Sequence, residues 1–590
     1  MNTPKRIPYG IADYGRLRRD NMYYVDKTAF IPLIEAAPYY LFLTRPRRFG
    51  KSLWLSTLAY YYDVNQADNF EALFGDTYIG HHPTAERNSY LVLRFDFSQV
   101  NPDVRFVQES FEGYGQEIIA DFLFRYQRFF DADVQGIIMG LPNVERQLRR
   151  MFTYTRRRNL PVYLLIDEYD NFANTLLSST GAQAYHDLTH GAGFFRFFFN
   201  LLKGAAGEGR LTRMFITGVS PVTTDDVTSG FNIGTNISLE PQFNALLGFS
   251  ASEVSEVLTY YHDAGSLTLG MAACQETLAA WYDGYRFAEE AQEHVYNTDM
   301  VLYFLLHIQH RATLPPRLVD DNIRIDYGKL RHLMLVNRRL NGNFSLLQHI
   351  VEEGATRGRI VPSFPLDRLL RRENFVSLLF YFGLLTFNGV DEGTRILRIP
   401  NLTVKTLMYG YIRDGLDDGD VFRVDVYHFS RLMRKLAYRG EWTAVFDFLA
   451  EAVAQQTSVR DYLGGEKVLQ GFLLAYLNVT NFHLTWSERE LGGGFADIYL
   501  EPFLGRYPDV KYGYVIELKY IPRGVFTPAR LTEAVAQAEE QLRRYAEVAR
   551  LNAMRTQVTL KSLVLVYKGW ELVYRAEASS VDKRRILNQV

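Results

Sequence analysis

Two stretches of the 590-residue chain carry residue types suited to acting on phosphates. The first is Arg45-Pro46-Arg47-Arg48-Phe49-Gly50-Lys51-Ser52, a basic run ending in Gly-Lys-Ser. Backbone N–H groups at a helix start, aided by the helix dipole, attract phosphate oxygens. There Arg48, Phe49 and Gly50 would line the cradle for ATP, Lys51 would neutralise the β- and γ-phosphates, and the Ser52 hydroxyl would complete a Mg²⁺ shell. Arg45 stands where the pattern G-x-x-x-x-G-K-[ST] has its first glycine, so the entry turn must be made another way. The partner motif is Val162-Tyr163-Leu164-Leu165-Ile166-Asp167-Glu168, with Asp167 lying 116 residues beyond Lys51. Asp167 would hold magnesium, directly or through water, and Glu168 would polarise the attacking water. Thr217 and Ser220, beside Gly218-Val219, are candidates to touch the γ-phosphate or that water.

The second stretch is Phe495-Ala496-Asp497-Ile498-Tyr499-Leu500 with Tyr514-Val515-Ile516-Glu517-Leu518-Lys519-Tyr520. Side chains alternate along a strand, so Glu517 and Lys519 share one face, and pairing of the two strands can bring Asp497 beside them. Two carboxylates and a backbone carbonyl form a hard oxygen cage suited to Mg²⁺. A metal there activates water, and a nearby lysine supports the nucleophile or the phosphate. Glu466 and Glu488 both lie upstream as further acids. Downstream, Gln541 and Tyr545 fall one helical turn apart on one face. Glu-x-Lys alone is common by chance; the surrounding acids and strand context carry the reading.

Both groups need α/β scaffolds. Apolar runs at Tyr39–Thr44, Leu91–Phe97, Val162–Ile166 and Met214–Thr217 read as buried strands between helical stretches, the pattern of a mostly parallel sheet. The loop at 45–52 follows the first strand and opens the helix Leu53–Tyr61; Asp167 and Glu168 end the third strand, where such sheets bind ligands. Helical periodicity dominates from about residue 249 to 440. A hairpin is expected from Leu384–Phe387 and Arg395–Ile399, inside a winged-helix-like segment between about Asn374 and Tyr411 that would either read DNA or, as the favoured expectation, serve as a lid on the nucleotide domain. A new α/β unit then begins, with helices at Glu466–Tyr476 and Leu531–Val548 and strands at Phe495–Leu500, Tyr512–Tyr520 and Ser562–Tyr567. The expected division is 1–250, 251–440 and 441–590.

Composition is that of a folded multidomain chain, with 47% hydrophobic and 22% charged residues. Sixty-five Lys and Arg against sixty-seven Asp and Glu leave −2, which excludes a global electrostatic argument for nucleic acid or membrane. The lone cysteine, Cys274, excludes an intramolecular disulfide framework and a Cys-rich zinc site, and fits a reducing cytosol. The apolar runs fall short of the ~20 residues that span a bilayer, so a cytoplasmic location without membrane contact is expected.

These motifs together resemble the AAA-ATPase-like proteins of bacteria. Ile7-Pro8-Tyr9-Gly10-Ile11, Tyr24-Val25-Asp26-Lys27-Thr28, the loop at 45–52, Ile166–Asp170, Thr217–Pro221, Trp281–Tyr285 and Tyr296-Asn297 carry that likeness. Ala496-Asp497-Ile498, Glu517-Leu518-Lys519 and Gln541…Tyr545 are similar to the PD-(D/E)xK nuclease domain that commonly follows. The resemblance implies a P-loop NTPase, a helical and winged-helix-like middle, and a restriction-endonuclease-like α/β C-terminal domain, with arginine the usual residue at position 45. It also implies that the first nuclease acid is Glu466 or Glu488. The expected function is ATP binding and hydrolysis coupled to Mg²⁺-dependent cleavage of nucleic acid, DNA foremost. Glu168, Asp497, Glu517, Lys519 and Gln541 would be catalytic, and a homo-oligomer is an expected assembly. The competing expectation is a nucleotide-dependent switch whose C-terminal fold recognises a partner without cutting.

Overall fold

The computed structural model describes residues 4–578 except 102, 104, 172–193, 222–232, 312–313, 316, 320–329, 331–332, 337–338, 365–367, 369–370, 491–494 and 546–553. The chain divides into two units: residues 1–312, 319–333 and 357–402 form one, and residues 313–318, 334–356 and 403–590 form the other.

In the first unit, β1 (Tyr40–Thr44) leads through the loop at 45–50 into α1 (Lys51–Tyr62). It is followed by β2 (Leu91–Asp96), α2 (Val144–Arg157), β3 (Val162–Asp167), β4 (Arg213–Gly218) and the short β5 (Thr235–Asn236). The sheet order is β2-β3-β4-β1-β5, with parallel pairing throughout. Every residue of β3 and β4 is buried, the continuous pattern of a parallel strand covered on both faces. Phe95, Leu164 and Ile216 from the sheet share one core with Phe111, Leu148, Met151 and Phe152 from the helices.

Because β4 lies between β1 and β3, Thr217 at its end stands between the phosphate loop and the acids of β3. The loop clamp comes from later residues of the same unit: Gly248–Phe249, Tyr285–Phe287, α3 (Thr298–His310) and the turn after α4 (Arg372–Tyr381). The expected hairpin is present, as β6 (Thr386–Asp391) and β7 (Thr394–Arg398).

In the second unit, α5 (Glu466–Leu477) precedes a five-stranded sheet ordered β8-β9-β10-β11-β12: His483–Glu490, Phe495–Pro502, Tyr512–Ile521, Thr559–Lys568 and Glu571–Glu577. β10 and β11 are parallel and the other pairs antiparallel. Between β10 and β11 the chain forms α6 (Pro528–Tyr545), which covers one sheet face through Ala534, Val535, Ala538 and Leu542 against Val515, Ile521 and Val564.

At the level of elements, one expectation is corrected and two strands are new. α6 starts at Pro528, three residues before the anticipated Leu531, because proline is well tolerated in the first helical turn, where its missing N–H leaves no bond unmade. The two edge strands β8 and β12 went unanticipated. Their sequences, His-Leu-Thr-Trp-Ser-Glu-Arg-Glu and Glu-Leu-Val-Tyr-Arg-Ala-Glu, carry too many polar residues to stand out as apolar runs.

Candidate functional site

The phosphate loop passes through two left-handed residues before the helix begins. Arg48 has φ +69° and Gly50 φ +95°, so the chain turns through left-handed conformations before Lys51 starts α1. Glycine adopts that region freely, whereas an arginine there is held by its surroundings. Asp299 supplies the hold: its N–H donates to the Arg48 carbonyl at 3.2 Å, and its carboxylate lies 3.7 Å from the Arg48 guanidinium. Phe49 is 1% exposed, its ring meeting Tyr285 and Phe287 edge-on at centroid distances of 4.9 and 5.3 Å. The Gly248 N–H donates to its carbonyl at 3.2 Å. A Cβ on Gly383 would come 2.8 Å from Pro46 Cγ, so glycine is needed where that turn meets the loop.

Arg45 shows how the loop manages without its first glycine. Its guanidinium is fully buried and donates to the carbonyls of Thr44, Ser238 and Phe243 at 3.0, 2.7 and 2.9 Å, and it lies 4.3 Å from the Phe287 ring centroid. Burial lowers its pKa to about 9. The entry turn is fixed by a side chain bonded to three carbonyls.

Lys51 is buried, and its amine donates to the Arg45 and Pro46 carbonyls at 3.0 and 2.9 Å. Burial pushes its pKa down, while Asp167, Glu168 and Asp170 push it back up, so the motifs of β1 and β3 do converge. Thr217 donates its hydroxyl to Asp167 Oδ1 at 2.7 Å, and the Glu168 N–H donates to the same oxygen at 3.0 Å. Glu168 has φ +50°, a strained conformation of the kind retained at functional sites; burial raises its carboxyl pKa and Lys51 opposes the rise. Ser52 lies half-buried in the first turn of α1. Ser220 is buried, and its N–H donates to Asp170 Oδ2 at 2.7 Å, while the Val219 N–H reaches Oδ1 at 3.1 Å. Asp170 and Asp299 are the site residues that sequence reasoning missed. The spacing Asp-Glu-x-Asp hints at the first, whereas nothing local marks the second.

At the other site, β9 and β10 pair through Ile498–Ile516, Tyr499–Val515 and Leu500–Tyr514. One step further in this register, Asp497 faces Glu517. There the strands part, and side chains take over the vacated backbone donors of β10. Asp497 Oδ2 accepts the Leu518 N–H at 2.8 Å, and Glu466 Oε2, from the first turn of α5, accepts the Tyr520 N–H at 3.1 Å. Lys519 Nζ lies 3.3 Å from Glu517 Oε2 and 3.9 Å from Asp497 Oδ2. The Asp497 carbonyl accepts from the Gln470 amide.

Glu517 is wholly buried, and its Oε1 has no hydrogen-bond partner among the described residues. Burial first, then the neighbouring Asp497, pushes its carboxyl far above the usual range, with Lys519 opposing. The Asp497 carboxyl is also raised, chiefly by burial. Tyr545, on α6, hydrogen-bonds Glu517. Gln541, one turn earlier, has a buried side-chain oxygen with no partner among the described residues. Glu466 feels both Lys519 and Asp497, which brings it to this cluster. The Glu488 side chain lies outside the described residues.

The donor set fits a hard divalent cation: two opposed carboxylates, one with an uncommitted buried oxygen, beside a lysine. Among the described residues, no three His, Cys, Asp or Glu side chains converge as a metal cage. Nor, among them, is any helix long and apolar enough to cross a membrane.

Residues 8–228 match the family model described as predicted AAA-ATPase, and residues 464–577 match that of the PD-(D/E)XK nuclease superfamily. The chain joins an AAA-ATPase-like domain to a PD-(D/E)XK nuclease-superfamily domain. A relative from Azotobacter chroococcum mcd 1, named an uncharacterized protein in the vnfD 5′ region, is 30% identical over 308 residues; the match covers 51% of this chain and 52% of the relative. The match thus spans about half the length of that relative. Among solved structures, the Walker-type ATPase of Pyrococcus abyssi is 13% identical, with a TM-score of 0.39, covering 69% of this chain and 99% of that one. Cdc6p from Pyrobaculum aerophilum is 12% identical, with a TM-score of 0.26, covering 70% and 97%. Sheet order and the family matches, not these two likenesses, define the folds.

Proposed function

We propose that this protein binds and hydrolyses ATP at the loop of residues 48–52 and cleaves nucleic-acid phosphodiesters, DNA foremost, at Asp497, Glu517 and Lys519. The observation that carries the nuclease half is the parting of β9 and β10 at Asp497 and Glu517, which opposes two carboxylates over one lysine. A divalent cation, Mg²⁺ in this reading, supplies charge neutralisation at phosphorus and a water that ionises near neutral pH. Asp497 and Glu517 hold that ion, Lys519 steadies the phosphate or nucleophile, and Gln541 and Tyr545 order the first shell from α6. Glu466 is taken as the first acid, positioned through the Tyr520 N–H.

In the ATPase half, Lys51 binds the β- and γ-phosphates, and Ser52 and Asp167 hold the ion. Glu168 polarises water, and Thr217 orients Asp167. Ser220 anchors the loop beyond β4. The contacts of Tyr285, Phe287, Asp299 and Gly383 with the phosphate loop support a lid role for the region 251–440, between an ATPase domain at 1–250 and a nuclease domain at 441–590.

The test is cleavage of a panel of single- and double-stranded DNA and RNA, with and without Mg²⁺ and ATP, beside Lys51→Ala and Lys519→Ala. Metal-dependent cleavage lost in Lys519→Ala supports the nuclease reading. Intact substrates under every condition, with nucleic acid still bound, would favour the non-cleaving switch.

A further inference from the structure

We propose that the outer face of α2 is a docking surface for the phosphate backbone of duplex DNA. The helix is sharply two-sided. Val144, Leu148, Met151 and Phe152 are turned into the core of the first unit. Arg146, Arg149, Arg150, Arg156 and Arg157 are all exposed. At 3.6 residues per turn these five arginines fall within an arc of about 120°. The helix holds one acid, Glu145, paired with Arg149 at 2.9 Å. Among the described residues, Arg146, Arg150, Arg156 and Arg157 have no acidic partner.

Folding alone does not account for this arrangement. Arg156 and Arg157 lie in the last turn, where cations favour the helix dipole, but Arg146 lies in the first turn, where the dipole favours acids. Arg146 and Arg150 are four residues apart and repel each other. A face of one sign, in a chain whose net charge is −2, marks a place for an anion.

The row has the form of a rigid contact. Arg146 and Arg157 are separated by about 17 Å along the helix axis, and over that length a DNA duplex presents roughly ten phosphate charges. The exposed positions offer no aromatic ring on which the bases of a single strand could stack. They carry guanidinium groups alone, which grip phosphate oxygens bidentately, so the proposed contact is one to the backbone. The choice of DNA among polyanions rests on the nuclease reading above.

The test uses the full chain carrying Glu517→Ala, in chelator, so that neither cation nor cleavage enters the measurement. Binding to a labelled duplex of random sequence is followed by fluorescence anisotropy across a salt series. The variant with Arg146→Gln, Arg150→Gln, Arg156→Gln and Arg157→Gln is compared with one carrying lysine at the same four positions. The glutamine variant is expected to flatten the slope of log affinity against log salt by about 3–4, at roughly 0.9 per phosphate contact, while the lysine variant keeps it. Thermal melting of both variants certifies the fold. An unchanged slope in a normally melting glutamine variant overturns the proposal. So does a lysine variant as impaired as the glutamine one, because that would make the arginines structural. Loss of nuclease activity at residue 517 leaves either outcome readable.

Discussion

A buried carboxyl with an uncommitted oxygen is unfavourable unless something binds it, and Glu517 is that group. Its raised pKa fixes the sign of a pH effect. In metal-free protein the unfolded chain ionises this group near the ordinary carboxylate range, while the folded chain keeps its proton to higher pH. Stability is therefore lost as pH rises from that range toward the raised pKa. Glu517→Gln removes the loss, so in chelator its melting temperature should exceed that of the native protein by a margin that grows from pH 5 to pH 8.5. A constant margin would count against the assignment. Cleavage by Lys519→Ala is expected to fall on the order of 10²–10⁴-fold, measured as initial rate on a duplex substrate. At the other site, Glu168→Gln should lower phosphate release by a similar factor, about 10²–10⁴-fold, while nucleotide binding is retained. Lys51→Ala should lose the binding itself, as read by titration with a fluorescent ATP analogue.

Elements decide how firmly those residues are held. The phosphate loop is gripped by side chains far away in sequence: Phe49 between Tyr285 and Phe287, and Arg48 by Asp299 at the start of α3. Phe49→Ala deletes a buried ring and should destabilise the first unit by about 3–5 kcal/mol, readable by urea denaturation. Tyr285→Phe keeps the ring but loses the buried hydroxyl's hydrogen bond with Asn401, so it should cost less, about 0.5–1.5 kcal/mol. If Phe49→Ala left the unfolding midpoint unchanged, the ring contacts would not anchor the loop. In the second unit, the parting of β9 from β10 is the element-level device. It frees the N–H groups of Leu518 and Tyr520 for Asp497 and Glu466, and those bonds aim the acids.

On the scale of the molecule, the chain consists of two units that exchange segments, since residues 313–318 and 334–356 join the C-terminal part. Each unit carries one of the two proposed catalytic sites, so their ligands should act on them separately. A non-hydrolysable ATP analogue at about 100 times its dissociation constant should stabilise the first unit by about 2.7 kcal/mol, and Lys51→Ala should abolish that shift. Calorimetry with the analogue, set against calorimetry with a divalent cation alone in native and Glu517→Ala proteins, tests this. A nucleotide shift that survives Lys51→Ala would place the binding site elsewhere.

Much of both sites was legible in the linear sequence, because their chemistry sits on short strands and one tight loop. Spacing of two along β10 puts Glu517 and Lys519 on one face whatever surrounds them, and an apolar strand ending in Asp-Glu delivers its acids to the sheet's carboxyl edge. The loop's missing glycine could not be resolved that way. Its replacement depends on carbonyls of Ser238 and Phe243, nearly two hundred residues downstream, that only the folded chain brings to Arg45. The same holds for Asp299 beneath Arg48, for Glu466 beside Lys519 and for the polar edge strands β8 and β12. Local pattern determines which residues share a face; the approach of distant segments, driven by burial of a common core, decides which faces meet.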